Sequence, residues 1–346
     1  MTTSELSDSL ADTSERHLPI ARVSRSHVFR LIIRRLLHVI PVVIGASFVT
    51  FAAINLSPKT TVDALLGFDY TKAAYDQLYS QLHFNQPFFE RYFVWLGNFV
   101  IGRWGTSYTT HVPVVTILSQ RLSVTVELIV LSFLLTLVVV VPVAVAAAVK
   151  PRGLVDRSIL VTTMLGLSTP QFVLGLLLIL VFSVHLKLLP SASYVPLGQG
   201  LVPNLKSFVL PAVTLSFALI SGYVRVLRAD LVDQMQSEDY IVTAKAKGLS
   251  QWGIVSRHAL RNALFGLVTV IAINFGTLVG GAVIIEQVFS LPGMGQELLA
   301  AVVGHDVPVA LVFDTLIAVA VVVLALVADL IYMLLDPRIR NARTDG

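Results

Sequence analysis

Six long apolar runs constrain this chain more than any other feature, at roughly 36–56, 123–149, 158–184, 208–228, 264–289 and 309–335. A hydrocarbon core about 30 Å thick takes about 20 apolar residues to cross as a helix, so each run is a candidate span. Inside lipid the backbone must satisfy its own hydrogen bonds, which leaves helices or a closed barrel. The runs show no strand-like alternation, and a barrel would need many more of them. The chain is therefore expected to be an all-α polytopic membrane protein with six transmembrane helices. Composition agrees, since only 13% of its 346 residues are charged against about 25% in an ordinary soluble domain.

An even number of crossings places both termini on one side. Six basic residues precede residue 36, three lie between 150 and 157, six between 225 and 261 and three after 337, eighteen of the 25 in all. The positive-inside rule therefore puts both termini and the 229–262 loop in the cytoplasm. The formal charge of +4 sits in short loops between apolar runs, a sign of topology rather than of a nucleic-acid face. Residues 1–30 read as a disordered cytoplasmic extension, and 341–346 as a cytoplasmic tail. The first apolar run starts too late and runs too long for a cleaved signal peptide.

The one sizeable outer segment is 57–121. Thr71 to Leu82 has an amphipathic pattern, with Ala74, Leu78 and Leu82 on one stripe and Tyr75 and Tyr79 beside it. Asn85-Gln86-Pro87 ends it, because proline restricts its predecessor and donates no amide. Phe88 to Val100 forms a second helix whose Tyr92 and Trp95 suit a membrane interface. The segment 185–207 holds Pro190, Pro196, Pro203 and Gly198-Gln199-Gly200 and is expected to be mostly irregular.

Several chemistries are excluded. The chain has no cysteine and no Gly-Lys dipeptide, so disulfides, thiolate sites and a phosphate-binding P-loop are ruled out. The eight histidines show no i, i+3 or i, i+4 pairing, so no catalytic or metal site is expected. This chain should not hydrolyse ATP, and any active transport must draw its energy from a partner or an ion gradient.

The loop at 229–262 carries the strongest positive signal. Asp239-Tyr240-Ile241-Val242-Thr243-Ala244-Lys245-Ala246-Lys247-Gly248 is a small-residue segment between two apolar runs. Its small side chains would let a partner approach closely, and Gly248 offers a left-handed helix stop. The basic string Arg257-His258-Ala259-Leu260-Arg261-Asn262-Ala263 follows.

These residues resemble the coupling loop of ABC-importer permeases, specifically the B-type subunit of dipeptide and oligopeptide importers. In the wider family the loop follows a Glu-Ala-Ala, three spacers, Gly pattern. Anchored on Gly248, those first positions become Val242, Thr243 and Ala244, so only Ala244 and Gly248 match. Landmarks similar to the peptide subgroup run from about residue 30 to 340. They include Leu82-His83-Phe84-Asn85-Gln86-Pro87, Gly105-Thr106-Ser107, Thr125-Val126-Glu127-Leu128, Arg225-x-x-Arg228 and Glu286-x-x-Phe289-x-x-Pro292-Gly293-x-Gly295. Arg103 departs from the subgroup, which usually has an acidic residue there.

The resemblance implies a type I ABC importer permease fold in the bacterial inner membrane. It implies a C-type second permease, two ATP-binding subunits that carry ATP and Mg, and an extracytoplasmic solute-binding protein. It further implies that Asp239, Tyr240, Thr243, Ala244, Lys247 and Gly248 couple the chain to an ATPase, while 57–121 forms part of the binding-protein platform. Ionisable and polar groups in lipid are functional candidates by default, and Glu127, Asn274 and Glu286 are candidates for the translocation path. Asp314 is a further intramembrane acid, and Asp329 is expected in a structural ion pair. Gly276-x-x-x-Gly280-Gly281 should permit close helix packing, and Pro170 should kink the third span. Alternatives left open are nickel or glutathione as the transported solute, and an ion-coupled secondary carrier.

Overall fold

A computed structural model describes residues 25–55, 58–67, 69–237, 241 and 246–335. The expected tail at 341–346 and most of the expected N-terminal extension lie outside the described residues. Helix α1 begins at Arg25 and runs to Asn55. Among the described residues there is no strand, only an isolated bridge between Thr106 and Pro113.

Four helices are long and apolar enough to cross a membrane: α5 (Val114–Val149), α8 (Leu201–Ser237), α10 (Leu260–Val288) and α12 (Val307–Leu335). A fifth candidate is split between α6 (Leu154–Ser168) and α7 (Gln171–Leu178), the latter continuing as a π-helix over Ile179–His185. The apolar stretch described in α1, Ile40–Ile54, is shorter. The architecture is compatible with the six expected spans, with one strong departure. The two halves around Pro170 meet at 108°, a break rather than a kink. Thr169 is extended, with ψ 122, as a residue before proline must be.

The long helices also outrun their apolar cores. α5 begins at Val114, nine residues before the expected 123, and α8 extends from 201 to 237 instead of 208 to 228. The expected irregular stretch 185–207 is thus helical in its last residues. Pro203 is tolerated there because it sits in a first turn, where no intrahelical amide bond is lost.

α5 shows how the bundle sorts its faces. Val124, Leu128, Ser132, Thr136, Val140, Ala144 and Ala148 recur every four residues and are buried, while Leu122, Val126, Val130, Leu134 and Val138 recur at the same spacing and are exposed. The buried line packs along α8. Its two hydroxyls cost little, because Ser132 donates to the Leu128 carbonyl at 2.7 Å and Thr136 to the Ser132 carbonyl at 2.8 Å. The expected glycine contacts appear at two of three positions. A Cβ on Gly276 would meet Val321 at 3.2 Å and one on Gly281 would meet Leu215 at 2.7 Å, whereas Gly280 faces open space.

In the segment before α5, α3 (Lys72–Gln81) starts where Thr71 accepts from the Ala74 amide at 3.2 Å. α4 spans Phe88–Val100, the expected range. Its Tyr92 is buried against Phe48 and Phe51 of α1. α2 (Pro58–Leu66) joins α1 to this layer. α11 (Met294–Val303), between α10 and α12, was not expected from the sequence.

Candidate functional site

The residues expected to matter fall at two ends of the bundle. At one end α8, α5 and the start of α10 converge on a single apolar cluster. Leu227, Leu231, Ile241, Ile254, Val255 and Ala259 are each 0% exposed, packed with Val140, Ala144 and Ala148 of α5. Ile241 on one side and Ile254, Val255 and Ala259 on the other therefore anchor the exposed residues 246–250 to the bundle. Of the expected coupling residues, Asp239, Tyr240, Thr243 and Ala244 lie outside the described residues. Lys247 and Gly248 are described and exposed.

Gly248 has φ +74, and a Cβ there would meet nothing within 4 Å. Its requirement is therefore conformational rather than steric, since other residues enter the left-handed region at a cost of about 1–2 kcal/mol. Ser250 then caps the short helix α9 (Gln251–Ile254), accepting from the Gly253 amide at 3.2 Å. A π-turn over Val255–Ala259 leads into α10. The elbow presents Leu249 and Trp252, 46% and 54% exposed. Sequence reasoning missed these as surface residues; the signal was Leu249-Ser250-Gln251-Trp252, two apolar side chains flanking a cap.

The same end holds an ion pair that sequence reasoning also missed. Arg228 of α8 grips Asp156 of α6 through both oxygens, Nε to Oδ1 at 2.9 Å and Nη2 to Oδ2 at 2.6 Å. The Arg152 amide adds a third donor at 2.7 Å. Asp156 is 1% exposed, and the planar fork is the geometry for which arginine is suited.

At the other end sits Glu286, fully buried in α10. Thr125 of α5 donates to its Oε1 at 2.5 Å, and the Gly295 and Gln296 amides donate to Oε2 at 2.7 and 3.1 Å. The Met294 amide in turn donates to Thr125 Oγ1 at 2.8 Å. The carboxylate thus caps the N-terminus of α11, where backbone N–H groups lack partners and favour an anion. Glycine makes the fit possible: a Cβ on Gly293 would overlap the Glu286 carboxyl, and one on Gly295 would lie 2.5 Å from the Val283 Cα. Arg121 of α5 adds an ion pair with Glu297 at 2.9 Å. In this conformation Glu286 faces protein on every side that its bonds define.

The three expected path residues are not brought together. Glu127 is half-buried on α5, near Tyr194, whose phenol is pushed up first by burial and then by that carboxylate. Thr125, two residues earlier, is the one that reaches Glu286. Asn274 donates to the Val270 carbonyl of its own helix at 2.9 Å, about 18 Å along α10 from Glu286. Asp314 accepts from Thr50 of α1 at 2.7 Å. The side chain of Asp329 lies outside the described residues, and with it the expected ion pair. A further carboxylate, Asp306, ties the 107–109 turn to α12: Ser107 Oγ donates at 2.5 Å, Thr109 Oγ1 at 2.8 Å and the Tyr108 amide at 3.0 Å. Among the described residues no group of three metal-ligating side chains occurs.

Comparison with known proteins gives a consistent result. Residues 140–341 match the family described as binding-protein-dependent transport system inner membrane component. The chain is 36% identical over 309 residues to the probable peptide ABC transporter permease protein y4tP of Sinorhizobium fredii, covering 89% of this chain and 98% of that one. It is 33% identical over 311 residues to the oligopeptide transport system permease protein AppB of Bacillus subtilis, again covering 89% and 98%. A putative peptide transport system permease protein of Brucella abortus is 33% identical over 310 residues, covering 90% and 98%.

Proposed function

Because the chain belongs to the family of binding-protein-dependent transport system inner membrane components, we propose that it is the B-type permease subunit of an ATP-driven peptide importer. The substrate class follows the names of the relatives, which are peptide and oligopeptide permeases. A peptide crossing lipid would strand its amide and carbonyl groups at a cost of several kcal/mol each, so it needs a hydrated path between helices. A C-type second permease completes that path, and an extracytoplasmic binding protein delivers the solute. Both termini and the elbow face the cytoplasm, in keeping with the distribution of basic residues.

This chain performs no catalysis in the proposed complex. ATP and Mg bind to two partner subunits, one of which receives the elbow: Asp239, Tyr240, Thr243, Ala244, Lys247 and Gly248, with Leu249 and Trp252 alongside. The observation that carries this reading is that residues 246–250 are exposed while Ile241 and Ile254, on either side of them, are fully buried in the bundle. A force applied to the elbow therefore reaches α5, α8 and α10 directly. Switching a transporter from mostly one facing state to mostly the other takes about 5.5 kcal/mol of differential binding, which clamped nucleotide can supply. Glu127 and Asn274 are proposed to line the path. Glu286 is proposed to hold its outer end together in the conformation described and to enter the path only if that cluster opens.

The test is reconstitution of the complete importer in vesicles with a labelled tripeptide. Gly248→Val is expected to leave insertion and complex assembly intact while peptide uptake per ATP falls about tenfold or more. Undiminished uptake in that variant would remove the coupling role. ATP-dependent uptake of nickel but of no peptide would refute the peptide assignment and leave the architecture standing.

A further inference from the structure

We propose that the cleft between α1, α4 and the start of α12 binds an anionic phospholipid. The cleft encloses about 360 Å³, within the range of small-molecule sites. Its wall is apolar and aromatic where Phe51, Trp95, Val307 and Leu311 line it. Its polar side carries two guanidinium groups, Arg91 and Arg103, with His83 and Asn98 near them. Among the described residues no carboxylate lines it. Asp306, which precedes the lining residue Val307, accepts from Ser107, Tyr108 and Thr109.

The positive charge is held in place rather than trailing into solvent. The Arg91 guanidinium lies 4.9 Å from the centre of the Phe84 ring and 5.9 Å from that of Phe51, a cation–π arrangement that fixes its position. Phe84 in turn packs, tilted by 48°, against Tyr79 at the end of a stacked row of Tyr70, Tyr75 and Tyr79. Arg103 is exposed, directly after Gly102 in a left-handed turn at φ 77.

Two features favour an amphiphile over a soluble anion. Cationic groups stand beside an apolar wall, which matches a phosphate headgroup joined to an acyl chain. In addition, α4 and the turn after it present Phe89, Phe93, Val100 and Ile101, each 62–75% exposed. An exposed apolar face on a short helix suits the boundary between headgroups and acyl chains, so the cleft would open where phospholipids are the most concentrated anions.

The full chain has three tryptophans, Trp95, Trp104 and Trp252, and the first two line the cleft. Full-length Trp252→Phe protein in nanodiscs therefore reports from the cleft by fluorescence. Dibrominated phosphatidylglycerol is expected to quench at a mole fraction about fivefold below that of dibrominated phosphatidylcholine, the factor one basic residue contributes at an anionic surface. Arg103→Asp should abolish the preference and Arg103→Lys should keep it. Arg103 is exposed, so neither change is expected to disturb folding, and an unchanged elution profile verifies this. Equal quenching by the two lipids, or an undiminished preference in Arg103→Asp, would overturn the proposal. Millimolar inorganic phosphate or an acidic dipeptide should leave the quenching unchanged; if either relieves it, the site belongs to a soluble anion and the lipid assignment fails.

Discussion

The two ends of the bundle handle polarity in opposite ways. Around Glu286 a carboxylate, a threonine and three backbone amides are brought together and shut away from solvent, with glycine at positions 293 and 295 because nothing larger fits. At the elbow the apolar anchors are buried while Leu249 and Trp252 are left outside. The Glu286 cluster is satisfied within one chain. The elbow is complete only if something covers it, and this asymmetry is what the proposed ATPase contact explains.

The comparison is most exposed to disproof at Glu286. Glu286→Ala is expected to leave the N-terminal amides of α11 without an acceptor inside the protein, costing about 3 kcal/mol and giving the largest fall in melting temperature of the variants considered. Glu286→Gln should lose less, since an amide oxygen still accepts. If both melt like the wild type in detergent, the buried cluster is not what holds that end. Asp156→Ala comes next, at about 2 kcal/mol: the loss of a buried partner for Arg228 is costly, but the arginine side chain is 19% exposed and water recovers part of it. Thermal unfolding measures this too, and Asp156→Asn should fall between Asp156→Ala and the wild type.

The elbow should respond in the reverse sense. Ser250→Ala removes a helix cap and is expected to cost about 1 kcal/mol. Trp252→Ala should shift stability by less than about 0.5 kcal/mol, as surface substitutions do, while weakening co-purification of the ATPase subunits severalfold. A Trp252→Ala protein that melts early but assembles normally would invert the comparison.

Local features of this fold were legible in the sequence. Thr71 and Pro87 mark helix starts, Gly248 marks the left-handed turn, and the apolar runs mark the long helices, because caps, prolines and periodicity act over a few residues. What sequence reading missed depends on residues far apart in the chain. Asp156 and Arg228 are 72 positions apart and Thr125 and Glu286 are 161 apart, and no spacing rule joins them. In Thr125-Val126-Glu127-Leu128 the carboxylate is the more conspicuous group in lipid, yet the threonine is the residue turned inward. The 108° break exceeds the expected kink because Thr169 leaves the helical region altogether, so one helix ends at Ser168 and another starts at Gln171.

At 36 residues, α5 is about 54 Å long, well beyond the about 30 Å of a hydrocarbon core. It begins beside the Glu286 cluster and ends in the packing around Ile241, so it joins the two ends of the bundle. A tilt of about 5° would swing its far tip by about 5 Å, enough to convert a small push on one side of the bilayer into a gate-sized displacement on the other.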